Sequence, residues 1–298
     1  MSCDFVSLGF CSNDYVSLVP EIPLDNKIQM LKHLVQGGGP AANAAVTAAR
    51  LGRSTAFLST VGDDDPGRRI VRDLQAEGIE TAGMVVRPGC ESAIAYCWIN
   101  EKTGQRSIVW TRGNLPELQV NEVNLDTVRQ AKVLHLDGHN PVGALAAAQA
   151  AKQAGVLVSL DAGTLRDGVP PLLPYVDLLI ASEAFARKFA GTDDLTVALD
   201  KLAAVGSRVV GITMGPQGSL ARSGGKDYRC PAFSVQAVDT TGCGDSFHGA
   251  FAVRYQETED VQESLRFASA VAALKCLQLG GRAGIPSRRQ VEEFLQTH

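Results

Sequence analysis

Short apolar runs and Ala-rich or amphipathic stretches take turns along almost the whole chain. This alternation constrains the fold more than any other feature. Residues 4–10 read as a buried strand, and 40–51 (PAANAAVTAARL) as a helix stopped at Gly52. Residues 54–61 read as a strand and 65–77 as an amphipathic helix ending at Gly78. The order resumes with a strand over 132–137, a helix over 142–154, strands over 156–161 and 176–181, a helix over 183–190 and a strand over 207–213. The last third is helical, over 244–255, 260–276 and 287–296. Strands separated by helices need crossover connections, which build a mainly parallel sheet covered on both faces. The expected class is α/β.

Two stretches break the alternation. Residues 11–36 hold β-formers and few helix signals, and 93–99 with 105–111 read as a hairpin around Asn100-Glu101-Lys102-Thr103-Gly104. The two excursions are expected to meet as a small sheet beside the main body, within one domain spanning 1–298. No long linker, repeat or low-complexity tract divides the chain.

Composition excludes several classes. With 28 basic and 32 acidic side chains the net charge is −4, a poor match to nucleic acid, which calls for clustered Lys and Arg. No apolar run approaches the ~20 residues that span a bilayer. The N-terminal MSCDFVSLGF lacks a basic segment before its apolar stretch, so no signal peptide is expected. The seven cysteines are odd in number and form no C-x-x-C pair, which suits reduced thiols in the cytoplasm. The stretch Gly62-Asp63-Asp64-Asp65-Pro66-Gly67-Arg68-Arg69 has the outer glycines of a phosphate loop. It lacks the Lys-Ser/Thr, and its aspartates repel phosphate. No dinucleotide fingerprint follows the first strand, and neither H-E-x-x-H nor G-x-S-x-G occurs.

Four segments are candidates for chemistry. Asp239-Thr240-Thr241-Gly242-Cys243-Gly244-Asp245 runs from a strand-like segment, Phe233 to Val238, into a helix. Gly242 and Gly244 let backbone approach a ligand, and free N–H groups at a helix start bind anions. Asp245 in that turn suits a base beside a phosphoryl group under transfer, and taken alone equally suits a helix cap. Gly37-Gly38-Gly39-Pro40-Ala41-Ala42-Asn43 reads as a tight loop onto a helix, with Asn43 either presenting its amide to hydroxyls or lying on the surface. Asp14, just beyond the first strand, lies at the ligand end of a parallel sheet; its two acceptor oxygens suit vicinal hydroxyls or water. Thr213-Met214-Gly215-Pro216-Gln217-Gly218 follows the apolar Val209–Ile212 and borders a nucleotide or forms an ordinary turn. His248, inside helix 244–255, reads as packed rather than metal-bound.

Together these segments resemble the PfkB, or ribokinase-like, carbohydrate kinases. Gly38-Gly39-Pro40-Ala41-Ala42-Asn43 is similar to the first family signature. Asp239 to Asp245 is similar to the second, usually D-T-x-G-A-G-D, and Thr213-x-Gly215-x-x-Gly218 resembles the nucleotide-side turn. The order is kept over nearly the whole chain. The resemblance implies a three-layer α/β/α sandwich with a β-sheet lid, here 11–36 and 91–113. It implies transfer of the ATP γ-phosphoryl group, with Mg2+, to a sugar hydroxymethyl. Asp245 would be the base, and Gly242, Cys243 and Gly244 the anion hole. Asp14, Gly38, Gly39 and Asn43 would hold sugar hydroxyls, with Gln105 and Arg106 facing the sugar from the lid beside Lys27, Trp110 and Arg112. Thr213, Gly215, Gly218 and Cys276 would border the nucleotide. A monovalent cation such as K+ beside Asp239–Thr241 is allowed.

Gly104-Gln105-Arg106-Ser107-Ile108-Val109 with Leu115-Pro116, Leu134 to Asn140, and Ala272 to Cys276 resemble ketohexokinases (fructokinases). Stretches 37–42 and 280–286 resemble a bacterial sulfofructose kinase. A ketose such as fructose is therefore the expected acceptor. The alternatives are a nucleoside kinase, with Trp98 or Trp110 as a platform for the base, and a sensor on a kinase fold. Two departures stand out. Cys243 replaces the usual Ala, and Ser182 and Phe185 stand where many members carry the Asn and Glu of N-x-x-E. Either Glu183 reaches the metal through water, or nucleotide phosphates hold it. An isolated lid would expose an edge and an apolar face, so a homodimer paired through the lids is expected.

Overall fold

The computed structural model describes residues 3–298; Met1 and Ser2, which head the N-terminal stretch assessed for a signal peptide, lie outside the described residues. The chain starts in the main sheet with β1 (Phe5–Leu8), leaves it through β2 (Ser12–Val19) and β3 (Lys32–Gly38), and returns along α1 (Pro40–Arg50). Next come β4 (Thr55–Leu58), β5 (Thr60–Gly62), α2 (Asp65–Ala76), β6 (Val85–Arg87), β7 (Ile94–Asn100) and β8 (Arg106–Thr111). The second half adds α3 (Leu125–Arg129), β9 (Val133–Leu136), α4 (Pro141–Gln153), β10 (Leu157–Ala162), β11 (Leu178–Ser182), α5 (Glu183–Ala190), α6 (Leu195–Ala203) and β12 (Val209–Thr213). The hairpin β13 (Ser219–Ser223) and β14 (Lys226–Cys230) precedes α7 (Cys243–Thr258), α8 (Val261–Lys275) and α9 (Arg288–Thr297).

Eight strands form the main sheet in the order β14-β13-β12-β11-β10-β9-β1-β4. The six from β12 to β4 are parallel, and β13 and β14 are antiparallel additions. The pleat sends alternate residues to opposite faces. Val6, Leu8, Leu134, Val158, Leu160, Val210 and Ile212 meet the Ala-rich face of α4, with α5 and α6. Phe5, Val133, Leu178, Ile180 and Val209 meet α7 and α8. The result is three layers, helix on sheet on helix. On the second face α1 lies so close to α7 that a Cβ on Gly249 would sit 2.8 Å from the Ala44 carbonyl. That contact brings Asn43 on α1 beside Asp245 on α7.

The four-stranded sheet has the order β3-β2-β7-β8. Its inner face packs Val16, Ala95, Cys97 and Ile99 on Leu279. Register places Val35, Tyr15, Tyr96 and Val109 in one row across the outer face.

Several details differ from expectation. The strand at 54–61 is two strands, broken at Ser59, because β4 pairs in the main sheet while β5 pairs β6. Phe233–Val238 is not a strand: Pro231 ends β14, and the Val238 and Asp239 N–H groups donate to the Cys276 carbonyl at 2.8 and 3.2 Å. Gly37 and Gly38 belong to β3 rather than to a loop, and Asp14 lies within β2, buried. The hairpin β13–β14, turned by Gly224-Gly225, and α6, capped by the Asp194 carboxylate, were not anticipated, although both signals stand in the sequence.

Candidate active site

The glycine run before α1 owes each residue to a different neighbour. A Cβ on Gly37 would meet the Arg282 guanidinium at 1.9 Å, and one on Gly38 would meet the Asp14 carboxylate at 2.0 Å. Gly39 has φ +95° and lies on the Phe10 and Cys11 backbone. The run therefore lets two charged side chains and a second loop converge at the start of α1.

Asn43, 2% exposed, bridges the two motifs. Its Nδ2 donates to Asp245 Oδ2 at 2.7 Å across 202 residues of sequence. Its Oδ1 accepts from Arg282 Nε at 3.0 Å, and Arg282 Nη2 donates to the Gly38 carbonyl at 3.1 Å. Asp14 Oδ1 accepts from Ser12 Oγ at 2.6 Å. The Asp137 carboxylate accepts the N–H groups of Phe10 (2.8 Å), Ala41 (3.1 Å) and His139 (3.0 Å), tying three loops together at the strand ends.

The turn into α7 is held from behind. Asp239, fully buried, accepts the Thr241 and Gly280 N–H groups at 2.8 and 2.7 Å. Lys275, also fully buried, donates to the Asp239 carbonyl at 2.9 Å. Gly242 takes φ +76°, and a Cβ there would meet the Gly281 carbonyl at 2.6 Å. The Cys243 N–H returns to the Thr240 carbonyl at 3.3 Å. Gly244 faces open space, with nothing within 4 Å of an added Cβ. Its amide and that of Asp245 are the ones this helix start leaves for an anion, since the Ser246 N–H already donates to the Gly242 carbonyl at 3.0 Å.

Asp245 is half-buried at this opening. Burial, then the nearby charge of Asp161, pushes its carboxyl up to about 6, against the pull of Asn43. Burial also raises Asp14 and lowers Arg282. Beneath Asp245, His248 Nδ1 lies 3.0 Å from Asp161 Oδ1.

The lid overhangs from the other side. Trp110 meets the Phe10 ring edge-on at 5.7 Å, and Phe10 stacks on His139 at 4.7 Å. Arg106 Nη1 donates to Thr240 Oγ1 at 2.8 Å, so the hairpin reaches the turn before α7. Gln105 and Lys27 are exposed, and Arg112 lies 3.7 Å from Glu117.

Of the residues expected to border the nucleotide, Thr213 ends β12 and donates through Oγ1 to the Ala181 carbonyl at 3.4 Å. Gly215 and Gly218 shape the turn into β13. Cys276 caps α8 with its Sγ 2.9 Å from that of Cys243. Ser182 caps α5, while Glu183 pairs with Arg187 at 2.6 Å instead of pointing free into the cleft. No cluster of three metal-ligating side chains occurs among the described residues.

Sequence reasoning missed Arg282, Asp137 and Asp161. Each is a charged residue beside a recognisable motif or at a strand end, but only burial and a named partner separate it from a solvated charge.

Comparison with known proteins follows the same outline. The profile of the pfkB family carbohydrate kinase matches residues 4–288. The chain is 31% identical to a ribokinase of Haemophilus influenzae, over 97% of each chain, and 28% identical to fructokinase-1 of Zea mays, over 98% of this chain and 97% of that one. An Arabidopsis thaliana ribokinase, solved with ribose and ATP, superposes with a TM-score of 0.86 at 27% identity, covering 99% of each chain.

Proposed function

This chain belongs to the pfkB family of carbohydrate kinases, and on that premise we propose that it moves the γ-phosphoryl group of ATP to a primary hydroxyl of a small ketose such as fructose, with Asp245 as the base. It is a sugar kinase, a phosphotransferase with an alcohol acceptor. The observation that carries the assignment of roles is the Asn43–Asp245 hydrogen bond, which joins the sugar-side motif to the base.

In this reading Asp14 and Asn43 orient the sugar hydroxyls, with the Gly38 and Gly39 backbone beside them. Asp245 Oδ1, the oxygen not held by Asn43, takes the hydroxyl proton as the oxygen attacks phosphorus in line. The amides of Gly244 and Asp245 stabilise charge on the phosphoryl oxygens. The Thr213–Gly218 turn and Cys276 border the nucleotide. The lid, resting on Thr240 through Arg106, excludes water.

Magnesium supplies charge neutralisation on the phosphates when it is bound. The described residues, with no cluster of three metal-ligating side chains, fit an ion that would arrive on the nucleotide and keep its waters, and Glu183, paired with Arg187, would act on it only through water. The positive charge beside Asp239–Thr241 is assigned to the Lys275 ammonium, already on the Asp239 carbonyl, rather than to a monovalent cation such as K+.

One observation favours a second reading. Arg106 is exposed on the inner lid face with one hydrogen bond recorded to Thr240, which suits an acceptor bearing phosphate or sulfonate. We assign the lid's outer row, with Tyr96 46% and Val109 60% exposed, to a homodimer contact, and the enzyme to the cytoplasm.

The test is ADP release from MgATP with fructose, ribose, tagatose, ribose 1-phosphate, fructose phosphates, sulfofructose and adenosine, beside Asp245→Asn. Release with fructose that falls by ~10²–10⁴-fold in the variant is the expected result. Turnover with adenosine alone would replace the sugar assignment, and an active variant would remove Asp245 from its role.

A further inference from the structure

Two carboxylates share the space under the cleft. Asp161 ends β10, 5% exposed, and its charge is the largest electrostatic influence raising Asp245. Two like charges in one buried site cannot both ionise freely. Something must offset Asp161 if Asp245 is to stand ionised, and so be free to take a proton, near neutral pH.

The candidates are few. β9 offers His135 and Asp137. His135 is fully buried, shares a hydrogen bond of 3.3 Å with Ser159, and is driven by burial down to about 4, so it stays neutral. Asp137 accepts three backbone N–H groups and offers no positive charge. From α1, Asn43 is uncharged, and Arg282 behind it is engaged with Asn43 and Gly38. β11 carries no charged side chain, and from α8 Lys275 is on the Asp239 carbonyl. That leaves His248, 3% exposed, on the same helix as Asp245 and one turn along, with Nδ1 3.0 Å from Asp161 Oδ1. Burial alone would raise Asp161, yet His248, foremost among the groups that oppose it, together with His135 and the Gly163 amide holds that carboxyl below its usual range.

We propose that Asp161 and His248 act as a pair of positioning residues, His248 cancelling the charge that Asp161 would otherwise set against Asp245. The pair touches neither substrate; it acts through the base. The inference rests on the reading of Asp245 as that base.

The test titrates Asp245 directly, by 13C NMR of protein labelled at the Asp carboxyl carbons, with Asp245→Asn giving the assignment. His248→Asn is expected to move the Asp245 titration upward by about one unit, and Asp161→Asn to move it downward. The double variant returns toward the native value. The acid limb of kcat/KM for fructose and for ribose, at saturating MgATP, should move with it. No shift in His248→Asn, or shifts of the same sign in both variants, would overturn the proposal. Should His248→Asn fail to fold, His248→Gln is titrated in its place, with the same upward shift expected and no shift overturning the proposal. An active Asp245→Asn would instead defeat the assignment of the base, while the NMR titration would still report on the pair.

Discussion

Asp245, the proposed base, shows how its surroundings change what a residue type can do. An aspartate in water is ionised far below neutral pH and holds its proton weakly. Packed under the cleft beside Asp161, this one is pushed up to about 6, which makes it a stronger base while it stays mostly ionised at pH 7. For Asp245 as the proposed base the active form is the ionised one, so kcat/KM should level off above about pH 7 and fall about tenfold per unit well below pH 6. A profile flat down to pH 4 would show that no group of this kind controls the rate. The sequence marked Asp245 and Asn43 through their motifs. It did not show that the Asn43 amide is engaged on both sides, by Asp245 and by Arg282, because both partners come from the far end of the chain.

At the scale of elements, local rules explain most boundaries. Pro40 opens α1, the Asp64 carboxylate caps α2 by accepting from Gly67, and Ser287 with Gln290 forms a capping box on α9. The turn into α7 depends on longer-range contacts. Gly242→Ala would put a side chain at φ +76° against the Gly281 carbonyl, and should cost about 1 kcal/mol or more in stability along with turnover. A melting temperature and rate equal to the native enzyme's would contradict this. The starts and ends of two helices also bring Cys243 and Cys276 together. The hydrogen bond from Cys243 lowers the Cys276 thiol to about 7, while the same bond and burial raise Cys243. Oxidised glutathione should therefore close a disulfide between them, releasing two reduced glutathiones, with a mass loss of about 2 Da and an activity loss that dithiothreitol reverses. Unchanged mass and rate would speak against it. The strand expected at 233–238 failed for a related reason: its β-forming residues follow a proline and find no neighbouring strand to pair with.

For the whole molecule, the lid is the part whose surface is least settled by its own contacts. Its inner face packs on Leu279 and overhangs the cleft, while Tyr15 and Tyr96 stack at 5.0 Å on the outer face beside exposed Val109. A contiguous apolar row of this kind supports the proposed homodimer contact. Sedimentation should give a dimer for the native protein and a monomer for Tyr96→Arg/Val109→Arg; a native monomer at micromolar concentration would remove the assignment. Period and turn chemistry act between neighbours in sequence. Hence the alternation of strands and helices, the parallel sheet, the lid hairpin and the two signature loops were all present in the amino-acid order. What that order could not express is convergence. The contact of α1 with α7, the return of Arg282 beneath the glycine run, the meeting of Asp161 with His248 and the approach of the two thiols each join residues far apart in the chain. Their charges and hydrogen bonds acquire strength only where folding has removed water from between them.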